Sequence, residues 1–181
     1  MKIFWLKSID KILAACKKKK AWAQADLFEM YSDKMYGTCL YYSDNKADAE
    51  DLLQDGFLHI FDNISKYKDN NLEAWMRRVF INLALMQYRK NKLSTKQINE
   101  DDYLGEEIDF GGNAQMNADD IMMLVSKLPK QYRLVFNLYA IEGYKHREIA
   151  EMLEITEGTS KSNLSRARTI LQNKLNEFDI K

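Results

Sequence analysis

A chain of 181 residues with 27 Lys and Arg against 27 Asp and Glu has no formal net charge. Affinity for DNA at physiological salt comes largely from displaced counterions, so either DNA is not the partner or another protein supplies much of the contact. One Pro and seven Gly, with abundant Ala, Leu, Met, Lys and Glu, point to an all-α fold, and the length suits one ordinary domain or two small ones. Cys16 and Cys39 have no metal-like spacing and fit a reducing compartment. The apolar run Ile3–Leu6 is too short for a signal segment and nothing later could span a membrane, so the cytoplasm is expected, with no membrane insertion.

In chain order, a helix is predicted over Ser8–Ala23 with Ile9, Ile12, Leu13 and Cys16 as its apolar stripe; Lys17–Lys20 is read as its solvated basic end. Ala25–Tyr42 carries Leu27, Phe28, Met30, Tyr31, Met35, Tyr36, Cys39 and Leu40, too many apolar groups for an exposed face. From Asp44 to Asn63, the spacing of Ala49, Leu52, Leu53, Phe57, Ile60 and Phe61 predicts a helix with one broad buried face. Its start is acidic (Asp44, Asp48, Glu50, Asp51 and Asp55 against Lys46 alone). Asp55 lies beyond the first turn, where acids suit the helix dipole, so Asp55 with a partly covered Leu52 is read as a protein contact.

The loop Ser65–Asn71 leads into a helix over Leu72–Asn91 that includes Trp75, Val79, Ile81, Leu83 and Met86. Between Lys66 and Lys92 stand Lys66, Lys68, Arg77, Arg78, Arg89, Lys90 and Lys92, against Asp69 and Glu73. Interleaved cations and aromatics suit single-stranded DNA, whose bases stack while its backbone follows the charges; a solvated helix face is the competing reading. Residues 92–118 then hold Gly105, Gly111 and Gly112 and the acids Glu100, Asp101, Asp102, Glu106, Glu107 and Asp109, the composition of a flexible linker.

Asn117 is expected to cap a short helix containing Ile121, Met122, Leu124 and Val125. Pro129 suits the first turn of the next, which buries Tyr132, Val135, Phe136, Leu138 and Tyr139 and ends at Gly143. The last stretch reads as two helices around a tight turn. Ile149, Ala150 and Leu153 face inward on the first, and small Ala150 permits the close crossing of a helix-turn-helix. Thr156 caps the second, whose inner stripe is Ser160, Leu164, Ala167 and Leu171. Lys161, Ser162, Ser165 and Arg166 are left pointing outward, with Asn163 and Arg168 towards the flank, a set suited to phosphates and base edges.

Leu128-Pro129, Tyr132-Arg133, Glu148-Ile149-Ala150, Gly158-Thr159, Lys161-Ser162 and Arg166-Ala167-Arg168, in that order, resemble the promoter-reading C-terminal domain of bacterial sigma factors of the extracytoplasmic-function group. Asp48-Ala49-Glu50-Asp51-Leu52-Leu53-Gln54-Asp55-Gly56-Phe57 resembles the segment that grips the clamp helices of RNA polymerase's largest subunit. Glu73-Ala74-Trp75-Met76-Arg77-Arg78-Val79, with Asn82-Leu83-Ala84 and Arg89, resembles the segment that melts and reads the −10 element. The resemblance implies a sigma factor with an N-terminal domain over 1–92, an acidic linker over 93–117 that threads the polymerase cleft, and a −35-reading domain over 118–181. It implies polymerase contacts by Asp48, Asp51, Leu52, Gln54, Asp55 and Phe57, and −10 contacts by Lys66, Tyr67, Trp75, Arg77, Arg78, Asn82 and Arg89. The −35 contacts are Lys161, Ser162, Asn163, Ser165, Arg166 and Arg168. Partners are core RNA polymerase (clamp and the flap of its second-largest subunit), promoter DNA and, as the family allows, an anti-sigma factor.

Three positions depart from the family pattern: Lys145 where Ser or Thr caps the first motif helix, Glu154 where the turn favours Gly, and Ser160 on the apolar stripe. Catalysis is not expected: His59 follows Asp55 by four residues and His146 follows Glu142 by four, but no third group accompanies either pair, and no metal or cofactor is implied. A conventional helix-turn-helix regulator would account for residues 128–175. It leaves the acidic Asp48–Asp55 face and the basic Lys66–Lys92 segment without a role.

Overall fold

The computed structural model describes residues 8–68, 71–94 and 118–179, with side chains over 8–68, 71–91 and 121–176. The acidic stretch expected to be a linker, and Asn117, expected as a cap, lie outside the described residues except for the linker's first two positions, Leu93 and Ser94, which end a helix. The described residues are helical, without strands, and the chain divides into two units, Met1–Ala84 and Leu85–Lys181.

In the first unit, α1 (Ile9–Lys17) buries Ile12, Leu13 and Cys16. It stops six residues before the expected Ala23. Lys19 adopts a left-handed φ of 53°, with Lys19 N–H donating to Cys16 O and Lys20 N–H to Ala15 O, a Schellman ending built without glycine. The helix α2 (Ala21–Tyr42) packs against α1 and α3 through Ala23, Leu27, Met35, Cys39 and Tyr42. Of its apolar residues, expected in the core, Phe28, Met30 and Leu40 are exposed, as is Trp22, because a 22-residue helix covered by neighbours on part of its circumference leaves the remainder open. Burial pushes the Cys39 thiol up to about 12 and raises Cys16 as well, so both thiols stay protonated.

The helix α3 (Lys46–Asn63) starts on Asn45, whose Oδ1 accepts from Asp48 N–H at 2.9 Å. It buries Ala49, Leu52, Gly56, Phe57 and Ile60. After a 3₁₀ turn (Ile64–Lys66), α4 (Leu72–Ser94) begins on Asn71, whose Oδ1 accepts from Ala74 N–H at 3.0 Å. Phe57 is the hub of the aromatic core, with ring centroids 4.7 Å from Phe28, 5.6 Å from Phe80 and 5.9 Å from Phe61. Gly56 lets α3 and α4 approach closely, since a Cβ there would collide with the Phe80 ring.

The second unit contains α5 (Ala118–Ser126), α6 (Lys130–Phe136), α7 (His146–Leu153) and α8 (Glu157–Asp179). Pro129 precedes α6, and a π turn (Asn137–Ile141) prolongs that helix to Gly143, whose φ of +76° ends it as expected. Tyr139, expected in the core, is 37% exposed, since the wider π turn rotates it off the inner stripe of α6. The core joins Leu124, Val125 and Leu128 to Tyr132, Ala167 and Leu171. Buried Arg133 donates from Nη1 to Ser126 O at 2.7 Å, satisfying a last-turn carbonyl of α5.

Gly56→Ala should destabilise the first unit by about 1–3 kcal/mol through overpacking against Phe80. Thermal unfolding by circular dichroism measures this, and an unchanged midpoint would mean that the ring yields freely.

Candidate nucleic-acid interface

Helices α7 and α8 form the expected helix-turn-helix. Lys145 has no side-chain oxygen to cap α7, but Glu148 partly compensates by accepting Lys145 N–H on Oε2 at 2.8 Å. Glu154 ends α7 in the left-handed conformation (φ 54°, ψ 50°), as its place in the turn predicted, and Ile155 N–H returns to Ala150 O. Thr156 Oγ1 accepts from Thr159 N–H at 3.0 Å, making Thr156 the cap of α8.

The inner stripe of α8 is Ser160, Asn163, Leu164, Ala167 and Leu171. Asn163 therefore does not belong to the outer face. It is 2% exposed, because it lies one turn from both Ser160 and Ala167 and shares their side, and its Nδ2 has no hydrogen-bond partner among the described residues. The exposed set comprises Lys161, Ser162, Ser165, Arg166, Arg168 and Thr169; helical spacing from Ser165 and Ser162 would have added Thr169 to the sequence-based set.

Lys161 Nζ meets Glu157 Oε1 at 2.7 Å and holds that carboxyl below its ordinary range. Ser162 Oγ donates to Thr159 O at 3.0 Å. Arg166 lies along α6, with Nη1 donating to Tyr132 Oη at 3.0 Å and the guanidinium 5.9 Å from that ring's centroid. Arg168 sits over Tyr139 at 5.7 Å. The His146 ring stacks on Tyr139 (4.7 Å, 23°), and its Nδ1 lies 3.0 Å from the buried Ser160 Oγ.

In the first unit the acidic side of α3 is exposed at Asp48, Asp51 and Asp55, with Gln54 also exposed. Leu52 and Phe57, expected as contacts, are only 1% and 2% exposed. They point into the helix core, which corrects the reading of Leu52 as partly covered. The apolar residue on the acidic side is Leu58, 63% exposed; it follows Asp51 by seven positions and Asp55 by three, and that spacing could have revealed it. Lys66, Arg78 and Asn82 are exposed, while Tyr67, Trp75 and Arg77 are partly covered; Arg89, also partly covered, belongs to the second unit, where its Nη1 donates to Glu154 Oε1 at 3.2 Å. The Tyr67 and Trp75 rings meet at 5.4 Å between centroids, so the loop and α4 share one aromatic surface. Lys66 Nζ donates to Asn63 Oδ1 at 2.7 Å.

Residues 27–93 match the family model described as Sigma-70 region 2, and residues 118–171 match Sigma-70, region 4. The ECF RNA polymerase sigma factor SigW of Bacillus subtilis (strain 168) is 29% identical, covering 94% of this chain and 98% of its own length. ECF RNA polymerase sigma factor SigE of Mycolicibacterium smegmatis is 28% identical over 83% of this chain, which spans 60% of that longer protein. Among solved structures, the sigma factor RpoE of Bartonella quintana, in complex with the anti-sigma factor NepR, shares this fold with a TM-score of 0.51 and 22% identity, over 84% of this chain and 96% of that one. Matches to regions 2 and 4 in chain order, the second spanning a helix-turn-helix, define a sigma-70-type transcription initiation factor. Within that class, the chain belongs to the extracytoplasmic-function sigma factors.

Replacing Glu154 by Gly should stabilise the second unit by up to about 1 kcal/mol, since a left-handed residue with a Cβ is strained. A raised melting midpoint is expected; an unchanged or lower one would show that relief of the left-handed strain does not outweigh loss of the exposed Arg89 Nη1–Glu154 Oε1 ion pair at 3.2 Å.

Proposed function

We propose that this sigma factor docks on core RNA polymerase through the acidic side of α3 and reads the −35 element with the outer face of α8. In this reading the N-terminal domain (1–92) meets the polymerase clamp and the −10 element, and the C-terminal domain (118–181) meets the −35 element and the flap. The observation that carries the −35 assignment is the exposed face of α8 beyond Glu157, where Lys161, Ser162, Ser165, Arg166 and Arg168 stand without an acid among them. The joined Tyr67–Trp75 surface beside Arg77, Arg78 and Asn82 supports single-strand binding at −10. Zero net charge fits a factor whose DNA affinity is completed by polymerase. A regulator acting without polymerase is disfavoured, because the Sigma-70 region 2 match already occupies residues 27–93. As with the B. quintana relative, an anti-sigma factor belongs among the partners, and the cytoplasm is the compartment; among the described residues no helix is long and apolar enough to cross a membrane.

Asp55→Arg should abolish co-purification with core polymerase while leaving helical content intact, because it places repulsion in a partly desolvated contact. Leu52 is left unaltered in this test, since Leu52→Ala would cost about 2–5 kcal/mol of core packing. Equal retention of the variant would remove this side of α3 from the interface.

Arg166→Ala and Lys161→Ala should fail differently in transcription from a promoter panel at several salt concentrations. Arg166 presents donors to a guanine edge, so its loss should relax preference at one or two −35 positions, by roughly 1–3 kcal/mol of discrimination. Lys161 meets a phosphate, so its loss should weaken all promoters about equally and lower the salt slope by roughly one contact. Unchanged rank and strength for Arg166→Ala would refute the orientation of α8 in the groove.

A further inference from the structure

We propose that His146 is a DNA-backbone contact of the C-terminal domain, set in place by Ser160 and Tyr139; this rests on α8 being the promoter-reading helix. Neither His146 nor Tyr139 belongs to the outer face of α8, and Ser160 stands on an otherwise largely apolar stripe.

Ser160 is fully buried and its Oγ lies 3.0 Å from His146 Nδ1, so the inner edge of the imidazole is fixed by the reading helix itself. The two ring nitrogens of an imidazole point away from one another, so an Nδ1 aimed into the helix pair turns Nε2 outward. His146 is partly exposed, and Nε2 has no hydrogen-bond partner among the described residues. When Ser160 donates to Nδ1, the ring proton resides on Nε2, and an anion beside Nε2 selects this tautomer. The ring plane is fixed in turn by stacking on Tyr139, the residue that the π turn carries to the surface.

Arg168 lies over the same Tyr139 ring, 5.7 Å from its centroid, so the ring that stacks on His146 also borders a guanidinium from the flank of α8. An N–H donor at the start of α7 suits a phosphate oxygen, a contact that offers no base information. The Glu157 carboxylate is bonded to Lys161 Nζ at 2.7 Å, and no carboxylate among the described residues is hydrogen-bonded to His146.

The experiment uses holoenzyme reconstituted from core RNA polymerase and the full chain, with labelled promoter duplexes selected by the wild-type holoenzyme from a randomised library. His146→Phe keeps a ring on Tyr139 and removes the donor. Its affinity should fall by a similar factor for every −35 variant, with ranks preserved, because the same hydrogen bond to the backbone is lost at every site. His146→Gln, whose carbonyl can accept from Ser160 while its amide donates outward, should restore most of that affinity. It also serves as the fold-preserving variant if His146→Phe lowers the melting midpoint. Ser160→Ala should reduce affinity in the same rank-preserving way. An unchanged affinity in His146→Phe, a loss confined to particular −35 sequences, or a His146→Gln variant no better than His146→Phe would each overturn the proposal. Failure of the wild-type holoenzyme to select any promoter would overturn the sigma-factor reading together with it.

Discussion

Everything distinctive in the C-terminal unit depends on burying one stripe of α8 against α6 and α7. Leu164, Ala167 and Leu171 supply the apolar part, and Ala167 and Leu171 meet Tyr132, Leu124, Val125 and Leu128 in one cluster. Once that side is buried, the rotation of α8 is set, and the side chains on its opposite side have no choice about which way they face. The left-handed residue at Glu154 and the Thr156 cap set where α8 starts, so register and rotation are fixed by separate devices.

The stripe is not uniformly apolar, and its polar members have different physical consequences. Ser160 finds His146, a partner on α7, and so converts a loss of apolar contact into a bond between the motif helices. Asn163 leaves its Nδ2 without a hydrogen-bond partner among the described residues, a desolvation cost of about 1–3 kcal/mol. The supporting helix is equally committed. Tyr132 places its ring in the core and its hydroxyl on Arg166, while Arg133 spends a charge-assisted bond on the end of α5.

The N-terminal unit separates its two tasks across one helix. The inner side of α3 carries Leu52, Phe57 and Ile60 and closes against α4 over Gly56, where only a missing side chain admits the Phe80 ring. The outer side presents Asp48, Asp51, Asp55 and Leu58 together. Because the helix is pinned through the inner side, the acids and the exposed leucine are held in a fixed arrangement instead of being scattered along a mobile segment. Lys34 and Glu73 add a 2.8 Å ion pair between α2 and α4, exposed and therefore of small energetic weight.

Local chemistry was enough to determine the helical class, the two-helix motif and its ends. Thr156 as a cap, Glu154 at positive φ and Gly143 as a stop depend on backbone geometry that neighbouring residues dictate, and each was legible in the sequence. Apolar periodicity likewise placed Leu164, Ala167 and Leu171 inward. What periodicity could not fix was the width and phase of each buried sector, because these depend on how many neighbours a helix meets and on local departures from 3.6 residues per turn. For that reason Asn163 proved to be inside and Tyr139 outside. Leu52 proved covered, Leu58 bare, and α1 ended at Lys17 in a Schellman turn that no glycine announced. The pairings of Arg166 with Tyr132 and of His146 with Ser160 span 34 and 14 residues. Only the tertiary structure decides them, since a hydrogen bond between distant residues exists only after packing has brought its two ends together.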